Sequence, residues 1–171
     1  QEPSCAQAKA LDADLLGEAF RIVGAAGDEI DRFIGQVEPL NSGDDAVLAE
    51  CRSSYMRLFI GPGKLAADPW ESVYVNDDAA LFQRSTLDVR NAYRAQGLLP
   101  AEYPRVADDH IAIECGFLAA LASRACDACE KEDSAKLLDA LKASEGFLRD
   151  HLLEWVERYA AKLSLADDGL Y

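Results

Sequence analysis

The segment YMRLFIGPGKLAADPWESVY, Tyr55 to Tyr74, followed by LFQRSTLDVR, Leu81 to Arg90, sets how the chain is organised. Its first residues continue an amphipathic pattern in which Val47, Leu48, Cys51, Tyr55, Leu58 and Phe59 recur at helical spacing. Gly61-Pro62-Gly63 then ends that helix, because proline lacks an N–H and glycine favours no regular conformation. Residues 64–76 form a loop carrying Trp70 and Tyr74, and a new helix begins near Asn76-Asp77-Asp78, residues suited to an N-cap. A helix break followed by an aromatic loop suits a recognition surface better than a catalytic centre.

The same periodicity extends outward in both directions. Leu11, Leu15, Ala19, Ile22 and Val23 mark a first helix, and Ile30, Phe33, Ile34 and Val37 a second that ends before Pro39. The helix after the aromatic loop runs to about Gln96, where Gly97 is a natural stop. A connection with Pro100 and Pro104 leads to a helix from about Asp108 to Glu130, with Ile111, Phe117, Leu118 and Leu121 toward a core. The last helical region, 134–163, carries Leu137, Leu141, Leu148, Leu152, Trp155 and Tyr159, with a bend or split at Ser144 and Gly146. Only residues 72–75 alternate like a strand, too few to build a sheet. The expected fold class is all-α: a single-domain helical bundle over residues 1–171.

The chain has 17 basic and 31 acidic residues, for a net charge of −14. Such a surface repels nucleic acid and favours basic partners, including arginine-containing peptides. No apolar run of about 18 residues exists, so no membrane insertion is expected. The start, Gln1-Glu2-Pro3, lacks the basic and apolar regions of a secretion signal. Five cysteines, Cys5, Cys51, Cys115, Cys126 and Cys129, are odd in number and irregular in spacing, which agrees with a reducing cytoplasmic compartment.

Three constellations have chemistry to offer. Trp70, Tyr74 and Phe82 provide apolar area with polar edges, for a peptide groove or for packing the loop to the core. Asp108-Asp109-His110 opens a helix: the acids suit its positive end, while His110 and Glu114 share a face four residues apart. Asp109 and His110 are candidate polar contacts for a cationic ligand, and no nucleophile accompanies them for acid–base catalysis. Cys126 and Cys129 lie in a CxxC inside a helix, short of the four ligands of a structural zinc site and without the strand that precedes a thioredoxin motif. No metal and no cofactor is expected. Gly61-Pro62-Gly63-Lys64 lacks phosphate-loop spacing.

In order and spacing these blocks resemble the TorD/DmsD family of cytoplasmic molybdoenzyme maturation chaperones. The resemblance is carried by Tyr55 to Tyr74 with Leu81 to Arg90, by DDHIAIECGFLAAL at Asp108 to Leu121, and by FLRDHLLEWV at Phe147 to Val156. It implies a non-enzymatic protein that binds the twin-arginine signal peptide, the apo catalytic subunit, or both, of a molybdopterin oxidoreductase before cofactor loading and export. By matched position, the implied leader-binding residues are Trp70, Ser72, Tyr74, Phe82, Arg90, Asp109, His110 and Glu114. Arg90 would fix loop geometry or contact the leader backbone. The chain would be cytoplasmic and a monomer or homodimer.

There are departures from the family pattern. Arg105 and Ala107 stand at the glutamate and proline positions of its E-x-P-x-D-H motif, Asp68 replaces a proline, and the chain stops at Tyr171, where a last helix is expected to begin. Arg105 and Ala107 also motivate an alternative, a helical adaptor that binds the folded subunit without reading its leader. A CxxC metal or redox protein is a third reading.

Overall fold

The computed structural model describes residues 31, 32, 35, 44–76, 84–101 and 105–166. The helices expected over 11–23 and 30–37 lie almost wholly outside them, as does Phe82. Among the described residues the fold is all-α, with no strand. Two compact units divide the chain: residues 1–67 with 162–171, and residues 68–161.

In the first unit, α1 (Asp45–Tyr55) is capped by Asp44, whose carboxylate accepts from Ala46 N–H at 2.8 Å. The helix then widens into a π turn over Met56–Ile60, closed by Gly61 at φ +25°. The Gly61 N–H donates to Met56 C=O at 2.7 Å, which stops the helix where the Gly-Pro-Gly reading puts it. Leu48, Cys51 and Leu58 are buried.

In the second unit, α2 (Ser72–Val75) is a single helical turn, where a loop with a short strand-like alternation was expected. A side-chain hydrogen bond from outside the segment overrides that pattern, as described below. The α3 helix is described over Arg84–Ala95, and Gly97 at φ +65° ends it as expected. The α4 helix (Ile111–Glu130) and α5 (Ser134–Phe147) form a tight pair joined by Lys131, Glu132 and Asp133. A second π turn, Leu148–Leu152, follows, and α6 covers Leu153–Ala166, of which residues 162–166 count with the first unit. The break expected near Ser144 and Gly146 falls one residue after Gly146. Ser144 Oγ donates back to Ala140 C=O at 2.9 Å, a bond that competes with the helix ladder just upstream.

The core of this unit is aromatic. Tyr93, Phe117 and Phe147 meet with ring centroids 4.7, 4.8 and 5.7 Å apart, flanked by Val89 and Leu121. Each ring comes from a different helix, so the trio ties α3, α4 and α5 together. A second stack joins α2 to α6: Tyr74 lies 5.4 Å from Trp155, which is fully buried, and Tyr159 closes the group.

Phe117→Ala is expected to lower stability by about 3–5 kcal/mol in urea denaturation, through lost transfer energy and the cavity left among the rings. Leu141→Ala, at a side chain 52% exposed, is expected to change it by less than about 0.5 kcal/mol.

A buried polar frame behind an aromatic edge

Two connections of the second unit are tied by backbone hydrogen bonds. Glu71 N–H donates to Asp109 C=O at 3.0 Å, and Ile111 N–H donates to Pro69 C=O at 2.9 Å. Trp70 and His110 are thereby paired across an isolated antiparallel bridge. Their rings meet edge to face, with centroids 5.4 Å apart, and both side chains are half-buried.

The bridge redirects the acids of Asp108-Asp109-His110. From sequence, both aspartates belong to the start of α4. Instead Asp109 turns back to accept from Ser72 N–H at 2.9 Å and so caps α2. Asp108 accepts from Arg90 Nε and Nη2 at 2.9 and 2.6 Å, while its backbone C=O accepts from the Tyr93 hydroxyl at 2.9 Å. The cap of α4 is His110, whose Nδ1 accepts from Ala112 N–H at 3.1 Å. A backbone N–H can only donate, so Nδ1 is unprotonated and the ring's proton sits on Nε2. Burial agrees, holding the imidazole below its ordinary pKa. Nε2 makes no hydrogen bond among the described residues.

Glu114, one turn into α4, is fully buried and accepts from Trp155 Nε1 at 3.3 Å. Burial, with the charge of Glu71 next, lifts its pKa from 4.5 to about 9, so it is protonated at neutral pH. Glu71, also buried, has both carboxylate oxygens 3.3 Å from His151 Nδ1. Desolvation raises Glu71 as well, opposed by its hydrogen bond to His151. The His151 ring packs 4.9 Å from that of Phe147. On the other side of α2, Arg158 Nη1 donates to Tyr74 C=O at 2.6 Å and its guanidinium stands 5.9 Å from the Tyr74 ring centre. Asn76 Nδ2 donates to Ser72 C=O at 2.9 Å and to Ser85 Oγ at 2.8 Å, linking α2 to α3.

Of the residues singled out from sequence, Trp70, Ser72, Tyr74, Arg90, Asp109, His110 and Glu114 all stand in this one unit, and Phe82 lies outside the described residues. They divide by accessibility. Ser72, Asp109 and Glu114 have no exposed surface, Tyr74 very little, and Arg90 is turned onto Asp108. Trp70 and His110 reach the surface. Ala107 is buried and Arg105 exposed. Sequence reasoning missed Glu71, Asp108, His151 and Arg158 as parts of the frame. A Glu or Asp beside the aromatic loop and beside the histidine was the available signal, but nothing local says which loop each will face.

Among the described residues no group of three His, Cys, Asp or Glu side chains is arranged to hold a metal ion. Cys126 and Cys129 are both exposed free thiols on α4. No described helix is long and apolar enough to cross a membrane.

The family model described as nitrate reductase delta subunit matches residues 21–161. The chain is similar to the chaperone protein TorD of Vibrio cholerae, 31% identical over 144 residues, which is 84% of this chain and 63% of that protein. It is 27% identical to the TorD of Photobacterium profundum over 84% of this chain and 65% of that one. A probable Tat proofreading chaperone DmsD of Haemophilus influenzae is 30% identical over 67% of this chain and 49% of its own length. The chain thus spans just under two thirds of the TorD relatives' length. No solved structure matches it.

The raised pKa of Glu114 has a definite sign in stability. Below pH 4.5 its carboxyl is protonated both folded and unfolded; between 4.5 and about 9 only the folded state holds the proton, so stability falls as pH rises through that window. Glu114→Gln, which mimics the protonated acid, is expected to match wild type near pH 4.5 and to become progressively more stable than it toward pH 9. Urea denaturation across that range measures the gap; a gap that stays constant with pH would show that the side chain is ionised in the fold.

Proposed function

This chain belongs to the TorD/DmsD family, and from that premise we propose that it is a molybdoenzyme maturation chaperone that binds a twin-arginine leader, with the apo catalytic subunit behind it, before cofactor loading. It works in the cytoplasm by binding, with no chemical step of its own. The observation that carries the reading is the Trp70–His110 pair: an aromatic face and a polar ring side by side on a bridge between two loops, in a protein of net charge −14. A basic, apolar leader is complementary to both properties. Long-range attraction speeds its approach, and the half-buried indole gives it apolar area.

The buried residues serve this edge indirectly. Asp109 and Arg158 hold α2 from its two ends, Arg90 fixes Asp108, and Glu114 and Trp155 join α4 to α6. A site held this way presents its contacts without ordering cost at binding. In this reading Ser72, Arg90, Asp109 and Glu114 position the groove, and Trp70 and His110 meet the peptide, with Tyr74 behind them.

Titration of a fluorescent twin-arginine leader peptide from a molybdopterin oxidoreductase is expected to show saturable binding. Trp70→Ala should weaken it by about tenfold or more, the effect of losing an aromatic anchor, with little change in helical circular dichroism. Absence of binding to any such leader would overturn the proposal. Equal capture of a leaderless subunit would favour an adaptor that ignores the leader.

A further inference from the structure

The hydrogen-bonding polarity of His110 restricts what the site can read. A histidine beside aspartates in an acidic protein invites the assumption that it receives a basic side chain. The capping bond makes that role impossible. Its one acceptor nitrogen, Nδ1, is committed to Ala112 N–H, the first free donor of a 20-residue helix, and the other nitrogen carries a proton. What the ring offers outward is an N–H.

The neighbouring ring has the same polarity. Trp70 Nε1 is a donor only, but it is buried, without a hydrogen-bond partner among the described residues, and stands behind the surface. The N–H left to a ligand is that of His110, and it calls for an acceptor. A carboxylate is disfavoured by the charge of −14 and by Asp109, whose negative charge lies close to His110. A peptide carbonyl is neutral, and an extended segment presents one at every residue.

We propose that His110 is the specificity-determining donor of the site, giving its Nε2–H to a backbone carbonyl of the bound leader beside Trp70, so that this edge reads extended main chain and not the leader's arginine side chains. The inference rests on the leader-binding reading and deepens it. Affinity for basic sequences then comes from the field of the whole acidic surface, and a leader held in helical form at this point, its carbonyls already engaged, binds poorly.

Three variants separate the ring's two tasks. His110→Asp keeps a capping oxygen, removes the outward donor and adds a negative charge. His110→Asn keeps a capping oxygen and supplies an amide N–H. His110→Ala removes both. If the carbonyl is the target, His110→Asp binds the leader about tenfold more weakly than wild type, while its melting temperature stays close to that of wild type. His110→Asn stays within about threefold. If the ring receives an arginine, the added carboxylate of His110→Asp makes binding equal or tighter, which overturns the proposal.

Nitrogen NMR of the imidazole rings provides a reading that needs no variant to fold. With only two histidines in the chain, the complex is expected to show His110 with Nδ1 unprotonated and Nε2 protonated, its Nε2 proton moving downfield on peptide addition. A doubly protonated or Nδ1-protonated ring in the complex overturns the proposal. A wild-type protein that binds no leader at all overturns the underlying function, and this inference with it. Leader binding that persists with a His110→Asp affinity equal to wild type overturns the inference alone.

Discussion

Two backbone hydrogen bonds between residues 69–71 and 109–111 are the constraint on which the second unit depends. They join loops almost forty residues apart in sequence, and each end carries a side chain with a further task. Because Glu71 and Asp109 are locked in register, the Asp109 carboxylate reaches Ser72 N–H and a four-residue turn becomes helical. Because Ile111 is held to Pro69, His110 stands in the extended conformation from which it caps α4. A single turn of helix is marginal without such help, since nucleation fixes several residues for one bond. The tether provides the missing order from outside the turn.

Behind the tether lies an unusual concentration of buried acid. Glu71, Asp108, Asp109 and Glu114 are all buried, with Arg90 and His151 as the facing bases. Burying so many negative charges would be prohibitive if all were ionised and unpaired. The fold resolves this by giving each acid a different arrangement. Asp108 takes a guanidinium fork, Asp109 the Ser72 N–H at a helix start, and Glu71 an imidazole. Glu114 keeps its proton. Tyr93, whose hydroxyl burial drives well above its ordinary pKa, stays neutral and adds a donor to the Asp108 backbone. Loss of one partner therefore reaches the others through a shared low-dielectric interior.

The all-α class, the stop at Gly61, the stop at Gly97 and the division of the last helical region were legible because each is a local matter of period, glycine and proline. That seven of the eight residues singled out fall in one unit was legible as well. Their roles were not. Asp109 reads as a cap for its own helix, yet caps another, and His110 takes the place left vacant. Residues 72–75 alternate like a strand and form a turn of helix. In each instance a bond across distant sequence outweighs local preference, and a pattern rule has no access to it. His151 and Arg158 were invisible for the same reason. They matter only because the second π turn and α6 pass beside residues 71–74.

The π turn at Leu148–Leu152 places one residue more in a turn than an α-helix would hold. The wide turn takes up that surplus and so sets the rotational phase of everything after it. A helix advances about 100° per residue, so if the same residues ran as unbroken α-helix, Trp155, Arg158 and Tyr159 would stand a quarter-turn or more away from Tyr74. The width of this one turn is therefore as much a part of the aromatic edge as its side chains.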